Sequence, residues 1–170
     1  MEVSEAIKTK RAIRQFLEKP IPEGLIRTIL HAGRRAQSSK NTQPWQFIAI
    51  TDKVILQQLS ECGEWAGHLA GAALGVALLS EDPEEKFQRL FDLGQSAAYM
   101  QLAAWELGIG SCLASIYEPE RARQIFGFPP ELHIRIAISF GYPQDAEVFT
   151  RRAKVGGRRT LDDIVHWDRW

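Results

Sequence analysis

Four groups of residues in this chain carry side chains able to do chemistry, and none of them is a catalytic triad or a metal-ligand set. The first is Lys10-Arg11-Ala12-Ile13-Arg14-Gln15-Phe16. Arginine offers a planar fork of donors that matches phosphate oxygens, so three cations within five residues can clamp a phosphate. The same cations at the end of a helix would simply complement its C-terminal dipole, and the sequence leaves both readings open.

The second group, Ser38-Ser39-Lys40-Asn41-Thr42-Gln43, runs into Pro44-Trp45 and presents hydroxyls and amides without a glycine. Such a loop is either a capped, solvated connection or a surface that reads a polar heterocycle, for which Asn41 both donates and accepts. The third is Gly108-Ile109-Gly110-Ser111-Cys112-Leu113-Ala114-Ser115. Its glycines read as a helix C-cap, and they also permit a flat ring to lie against backbone N–H groups. The fourth is the tail, where Arg151, Arg152, Lys154, Arg158 and Arg159 meet no acid until Asp162. A solvated or RNA-touching arm explains a basic run, but Leu161, Ile164, Val165, Trp167 and Trp170 follow, and a disordered arm does not need them.

The elements that must position these groups can be read from periodicity. Ser4 is a candidate cap for a short first helix carrying Ile7, and Pro22 is placed to open a second with Leu25, Ile26, Ile29 and Leu30 on one side. Trp45 to Thr51 reads as a strand, as does Ala72 to Leu79, although the alanines there also suit a helix. From Glu84 to Leu107 no proline occurs, and Phe87, Leu90, Phe91, Ala97, Ala98 and Leu102 keep helical spacing, with Phe87 and Phe91 expected in the core. Ser111 to Tyr117 reads as a strand, and Pro119 opens a helix ending near Gly127. Leu132, Ile134, Ile136, Ile138 and Phe140 alternate with other residues in the clearest period-two pattern of the chain.

Composition sets the outer bounds. With 170 residues, 45% apolar and 25% charged, the chain is expected to form one globular domain spanning 1–170. Lys plus Arg and Asp plus Glu balance at 21 each, which gives no general reason to expect nucleic acid or an anionic membrane as partner. Its first residues lack a basic, apolar leader pattern and Leu69–Leu79 is too short to cross a bilayer, so a cytoplasmic address is expected. Cys62 and Cys112 stand far apart without metal-ligand spacing, and His31, His68, His133 and His166 are scattered, so no metal is expected. Neither GxGxxG nor a Walker loop follows a strand.

Taken together and in order, the four groups resemble the nitroreductase family of flavoproteins. Lys10–Phe16 is similar to that family's opening basic motif, Ser38–Trp45 to its Asn-x-Gln-Pro-Trp loop, Asp92-Leu93-Gly94 through Gly110-Ser111-Cys112 to its central helix and turn, and Arg158–Trp167 to its closing segment. The resemblance implies an α+β fold, with a central, mostly antiparallel sheet flanked by helices, in an intertwined homodimer whose tail, about 150–170, docks on the partner. It implies FMN as cofactor, NADH or NADPH as co-substrate, and a ping-pong transfer of hydride through flavin N5 to an electron-poor acceptor such as a nitroaromatic or quinone. The alternatives are a flavin-binding module, or a specialised relative such as a reductive dehalogenase or cofactor-modifying enzyme.

Residue by residue, the resemblance assigns the FMN phosphate to Lys10, Arg14 and Arg158 or Arg159, with Arg11 contributing side chain or backbone. Ser38, Ser39 and Asn41 would contact the flavin, partly across the dimer, and the backbone around Ala114 and Ser115 would face the ring near N5. Ala12 stands where the family usually has serine, removing one hydroxyl from the phosphate site. Gln37 stands where it usually has proline. No side chain is assigned a catalytic role, since the flavin carries the chemistry.

Overall fold

The computed structural model describes residues 1–151 and 157–170. In chain order it comprises α1 (Val3–Thr9), α2 (Glu23–Arg34), β1 (Gln46–Ile50), α3 (Lys53–Ser60), β2 (Leu74–Glu81), α4 (Gln88–Glu106), β3 (Gly110–Ser115), α5 (Pro119–Phe126) and β4 (Leu132–Gly141). The four strands form one sheet in the order β1-β2-β4-β3, and every neighbouring pair is antiparallel. This is the expected α+β architecture.

Helices cover both faces of the sheet. On one face α3 and α5 pack with Leu56, Leu59, Ala77, Ala114, Ile134 and Ala137. On the other, α2 and α4 pack with Ile29, Leu74, Val76, Met100, Ile138 and Phe140. Successive strand residues point to opposite faces, and with both faces covered β2 is buried along nearly its whole length. That explains why Ala72 to Leu79 showed no alternation: a strand buried on both sides reads as a continuous apolar run. The tight α2–α4 contact depends on Gly33, where an added Cβ would meet Met100 at 2.2 Å.

Several boundaries differ from those expected. Ser4 lies inside α1 rather than capping it; Glu2, in extended conformation, occupies the cap position. Pro22 sits one residue ahead of α2. The helix α3 was not anticipated, although Asp52 caps it by accepting hydrogen bonds from the Val54 and Ile55 amides. The long helix starts at Gln88 instead of Glu84, because residues before it form a turn fixed by Asp82 Oδ1 accepting from the Glu84 amide. Phe87 and Phe91 are 65% and 72% exposed, which corrects their placement in the core. They meet each other edge-to-face, with centroids 6.2 Å apart, on the outer surface of the helix.

Candidate functional site

The strand β3 is an edge: β4 lies on one side and its other side is open for pairing. Part of that open side is taken by the basic segment. Ala12 bridges Ser111 in parallel, the Ile13 amide donates to the Ser111 carbonyl at 2.9 Å, and further along Phe16 bridges Pro143. In this extended stretch Ile13 and Phe16 turn inward and are buried, whereas Ala12 and Arg14 stay exposed. Two glycines opposite each other make the inward fit possible. A Cβ at Gly110 would come within 2.7 Å of Ile13, and one at Gly141 within 2.7 Å of Phe16.

Lys10, at the start of this segment, is half-buried and donates to Gln101 Oε1 on α4 at 3.1 Å. Burial pushes the Lys10 ammonium below its usual range. Beside it, Gln101 Nε2 and Ser111 Oγ are buried without a hydrogen-bond partner. A half-desolvated cation next to unpaired polar atoms is an arrangement that a ligand rich in acceptor oxygens would complete. Arg14 is exposed and acts electrostatically on Cys112 and His68, which places its charge on the same strand. Arg11 is committed locally: its guanidinium donates to the carbonyls of Thr9 and Arg151.

Behind β3 the chain forms a second small polar chain. His68 Nδ1 lies 2.8 Å from Ser139 Oγ, which donates to the Cys112 carbonyl at 3.4 Å, and His68 Nε2 is buried without a partner. Burial holds the His68 imidazole below its usual range and pushes the Cys112 thiol up. Neither side chain reaches the exposed edge as a nucleophile.

Between α4 and the β3–β4 end of the sheet lies an apolar cleft of about 200 Å³. Gly94, Ala97 and Ala98 keep its helical wall flat, Leu113 projects from β3, and Gln101 stands at the end nearest Lys10. Ala114 points the other way into the α3–α5 core, so it can offer only backbone to this cleft, whereas Ser115 is exposed. The cleft and the basic segment therefore meet along one strand edge: cations at one end, a flat apolar slot at the other.

The loop group is not at this edge within one chain. The Ser39 amide donates to both carboxylate oxygens of Asp92, at 3.1 and 3.3 Å. Asp92 and Gln101 are nine residues apart on α4, about 14 Å along the axis at 1.5 Å per residue. Ser38, Ser39 and Asn41 thus stand roughly a helix half-length away from Lys10. Arg158 and Arg159 are exposed, and among the described residues no hydrogen bond joins 157–170 to the rest of the chain. Arg152 and Lys154 lie outside the described residues.

Comparison with known proteins points the same way. The Nitroreductase family profile matches residues 7–62 and 61–142. An NADH dehydrogenase of Thermus thermophilus is 27% identical, with 98% of this chain and 96% of that protein covered. An FMN-dependent nitroreductase of Clostridium difficile superimposes with a TM-score of 0.87 at 26% identity, over 99% of this chain and 100% of the other. The NADPH:FMN oxidoreductase of Vibrio harveyi shares the fold, with a TM-score of 0.86 at 21% identity over 98% of this chain and 77% of its own. The fold, the basic segment on the strand edge and the matched profile agree, and the chain belongs to the nitroreductase family.

Proposed function

We propose that this protein is an FMN-dependent oxidoreductase that takes hydride from NADH or NADPH and passes electrons to a small electron-poor acceptor, such as a nitroaromatic or quinone, in a ping-pong cycle. The observation that carries the reading is the strand edge: Lys10 and Arg14 at one end, unpaired Gln101 Nε2 and Ser111 Oγ beside them, and the flat cleft at Leu113 beyond. That sequence of cation, polar donor and apolar slot matches phosphate, ribityl chain and ring. The FMN, when bound, supplies the hydride-accepting ring. The names of similar proteins, an NADH dehydrogenase and an FMN-dependent nitroreductase, support both cofactor and co-substrate.

The chain's own residues then bind and orient. Lys10 and Arg14, with Arg158 or Arg159, hold the phosphate; Arg11 braces the segment through its carbonyl contacts. The exposed position of Ala12 contributes backbone but no hydroxyl. Backbone N–H groups around Ala114 and Ser115 face the ring, where donors favour its reduced, anionic form. Ser38, Ser39 and Asn41 reach the site from a second copy, since in one chain they stand at the far end of α4, and the tail docks on that same copy. This reading makes the protein a cytoplasmic homodimer.

The test is the visible spectrum of the purified protein with added FMN, followed by anaerobic NADH or NADPH. Binding with bleaching on addition of nicotinamide supports the assignment. A protein that binds no FMN at high concentration removes it.

A further inference from the structure

The loop between α2 and β1 holds an unusual backbone. Within four positions, three non-glycine residues have positive φ: Lys40 at 51°, Asn41 at 55° and Gln43 at 48°. Asparagine tolerates this region, but lysine and glutamine rarely occupy it, and such geometry persists only where its surroundings enforce it. Inside the loop, Ser38 Oγ accepts from the Gln43 amide at 2.9 Å and Gln43 Nε2 donates to the Asn41 carbonyl at 3.4 Å. These bonds close the loop on itself. The hydrogen bond that ties it to the body of the protein is that from the Ser39 amide to the Asp92 carboxylate.

Asp92 is placed to act as a fixed point. It is 5% exposed, and no cation lies within ion-pair distance of it among the described residues. One turn earlier, the buried Arg89 pairs with Glu81 and Glu85 and donates to the Asp82 carbonyl, which anchors this end of α4 to β2. A buried carboxylate without a countercharge is costly to keep, and a neutral side chain would fill the space with less penalty. The charge is spent on one backbone amide.

We infer that Asp92 is a positioning residue: its carboxylate, fixed on α4, holds loop 38–43 in the left-handed conformation that presents Ser38, Ser39 and Asn41 to the flavin. The inference rests on the proposed function and adds to it a division of labour within the loop. The Ser39 amide is taken by Asp92, so Ser39 meets the ligand through its hydroxyl. Ser38 Oγ already accepts from Gln43, so its own proton and one lone pair remain for the ligand. Asn41 keeps both ends of its amide.

The experiment uses the full chain and FMN titration followed by flavin fluorescence. Asp92→Ala is expected to weaken FMN binding roughly 10- to 100-fold, the scale of one lost charge-assisted hydrogen bond. Asp92→Asn, which keeps a weaker neutral acceptor, is expected to lose about threefold to fivefold. The decisive variant adds Lys40→Gly and Gln43→Gly. Glycine enters positive φ without steric cost, so in either Asp92 background the two glycines should recover much of the lost affinity. A merely structural Asp92 would lower Tm, leave the affinity of the folded protein unchanged and gain nothing from the glycines. That result overturns the inference. If Asp92→Ala does not fold, the Asp92→Asn series reads the same comparison. A wild-type protein that binds no FMN overturns the flavin reading and this inference with it, whereas wild-type binding with undiminished Asp92→Ala binding overturns this inference alone.

Discussion

The basic segment 10–16 and the tail 157–170 are both rich in arginine, yet the fold treats them in opposite ways. The first is stitched to the sheet by backbone bridges at Ser111 of β3 and at Pro143 just past β4, with Ile13 and Phe16 driven into the core and Arg14 left outside. The second makes only local hydrogen bonds, such as the reciprocal pair between Thr160 and Asp163, and leaves Trp167 and Trp170 81% and 99% exposed. Charge does not place a residue; backbone pairing and apolar burial do. The segment has a strand edge to pair with in its own chain. The tail carries apolar side chains that the described residues of its own chain leave uncovered, and an exposed apolar patch marks an interaction site. Val3 and Ile7 on α1, and Phe91 and Tyr99 on α4, are exposed as well.

The largest test of this contrast is deletion of residues 160–170. If Leu161, Ile164, Trp167 and Trp170 bury against a second copy, each contributes about 1.5–3 kcal/mol of gross burial. The deletion should then shift the protein from dimer to monomer in light scattering and release FMN. An unchanged dimer would break the reading of the tail. The segment is tested by Gly110→Ala, which drives a methyl into Ile13 at 2.7 Å. Overpacking of this kind costs about 1–3 kcal/mol, so a fall in Tm with weaker FMN binding and intact dimerisation is expected. Loss of stability without loss of FMN affinity would separate the segment from the site.

The smallest effect sharpens the electrostatics behind β3. Burial, aided by the Arg14 charge, lowers the His68 pKa in the folded state, against an opposing contribution from the Leu113 carbonyl. The unfolded chain then binds more protons than the folded one as pH falls below the ordinary histidine value, about 6.5. The associated stability is fully present above that value and is lost as pH falls through the lowered folded value, at no more than about 1.4 kcal/mol per pH unit for one proton. Thermal melts from neutral to mildly acidic pH should show this slope, and His68→Gln should flatten it. Equal slopes in both proteins would remove His68 as the source.

Much of the fold was legible because local pattern and burial agreed. The alternation from Leu132 to Phe140 became β4, and Pro119 with Gly127 bounded α5, Gly127 adopting the left-handed cap. Where they disagreed, the sequence misled. Helical spacing placed Phe87 and Phe91 on an apolar face, but spacing cannot say whether the surface that face meets belongs to the same chain. The helix α3, at eight residues, is too short for helical spacing to repeat convincingly, even though Asp52 before Val54-Ile55-Leu56 is a usable cap signal.

The sequence by itself determined the residue types of the candidate site groups and their order: the cations of 10–16, the hydroxyl and amide loop, the glycines of 108–110 and the arginine-rich tail. It also carried the family: the profile matches residues 7–62 and 61–142, which hold the first three of these groups but not the tail. Only the tertiary structure decided which of these meet. It put Lys10 beside Gln101 and Ala12 against Ser111, across about a hundred residues of chain, because an edge strand accepts whichever segment can pair with it and bury its alternate side chains. It set loop 38–43 apart, on Asp92 at the other end of α4, because that contact depends on a helix face and a buried carboxylate that no local pattern in the loop announces.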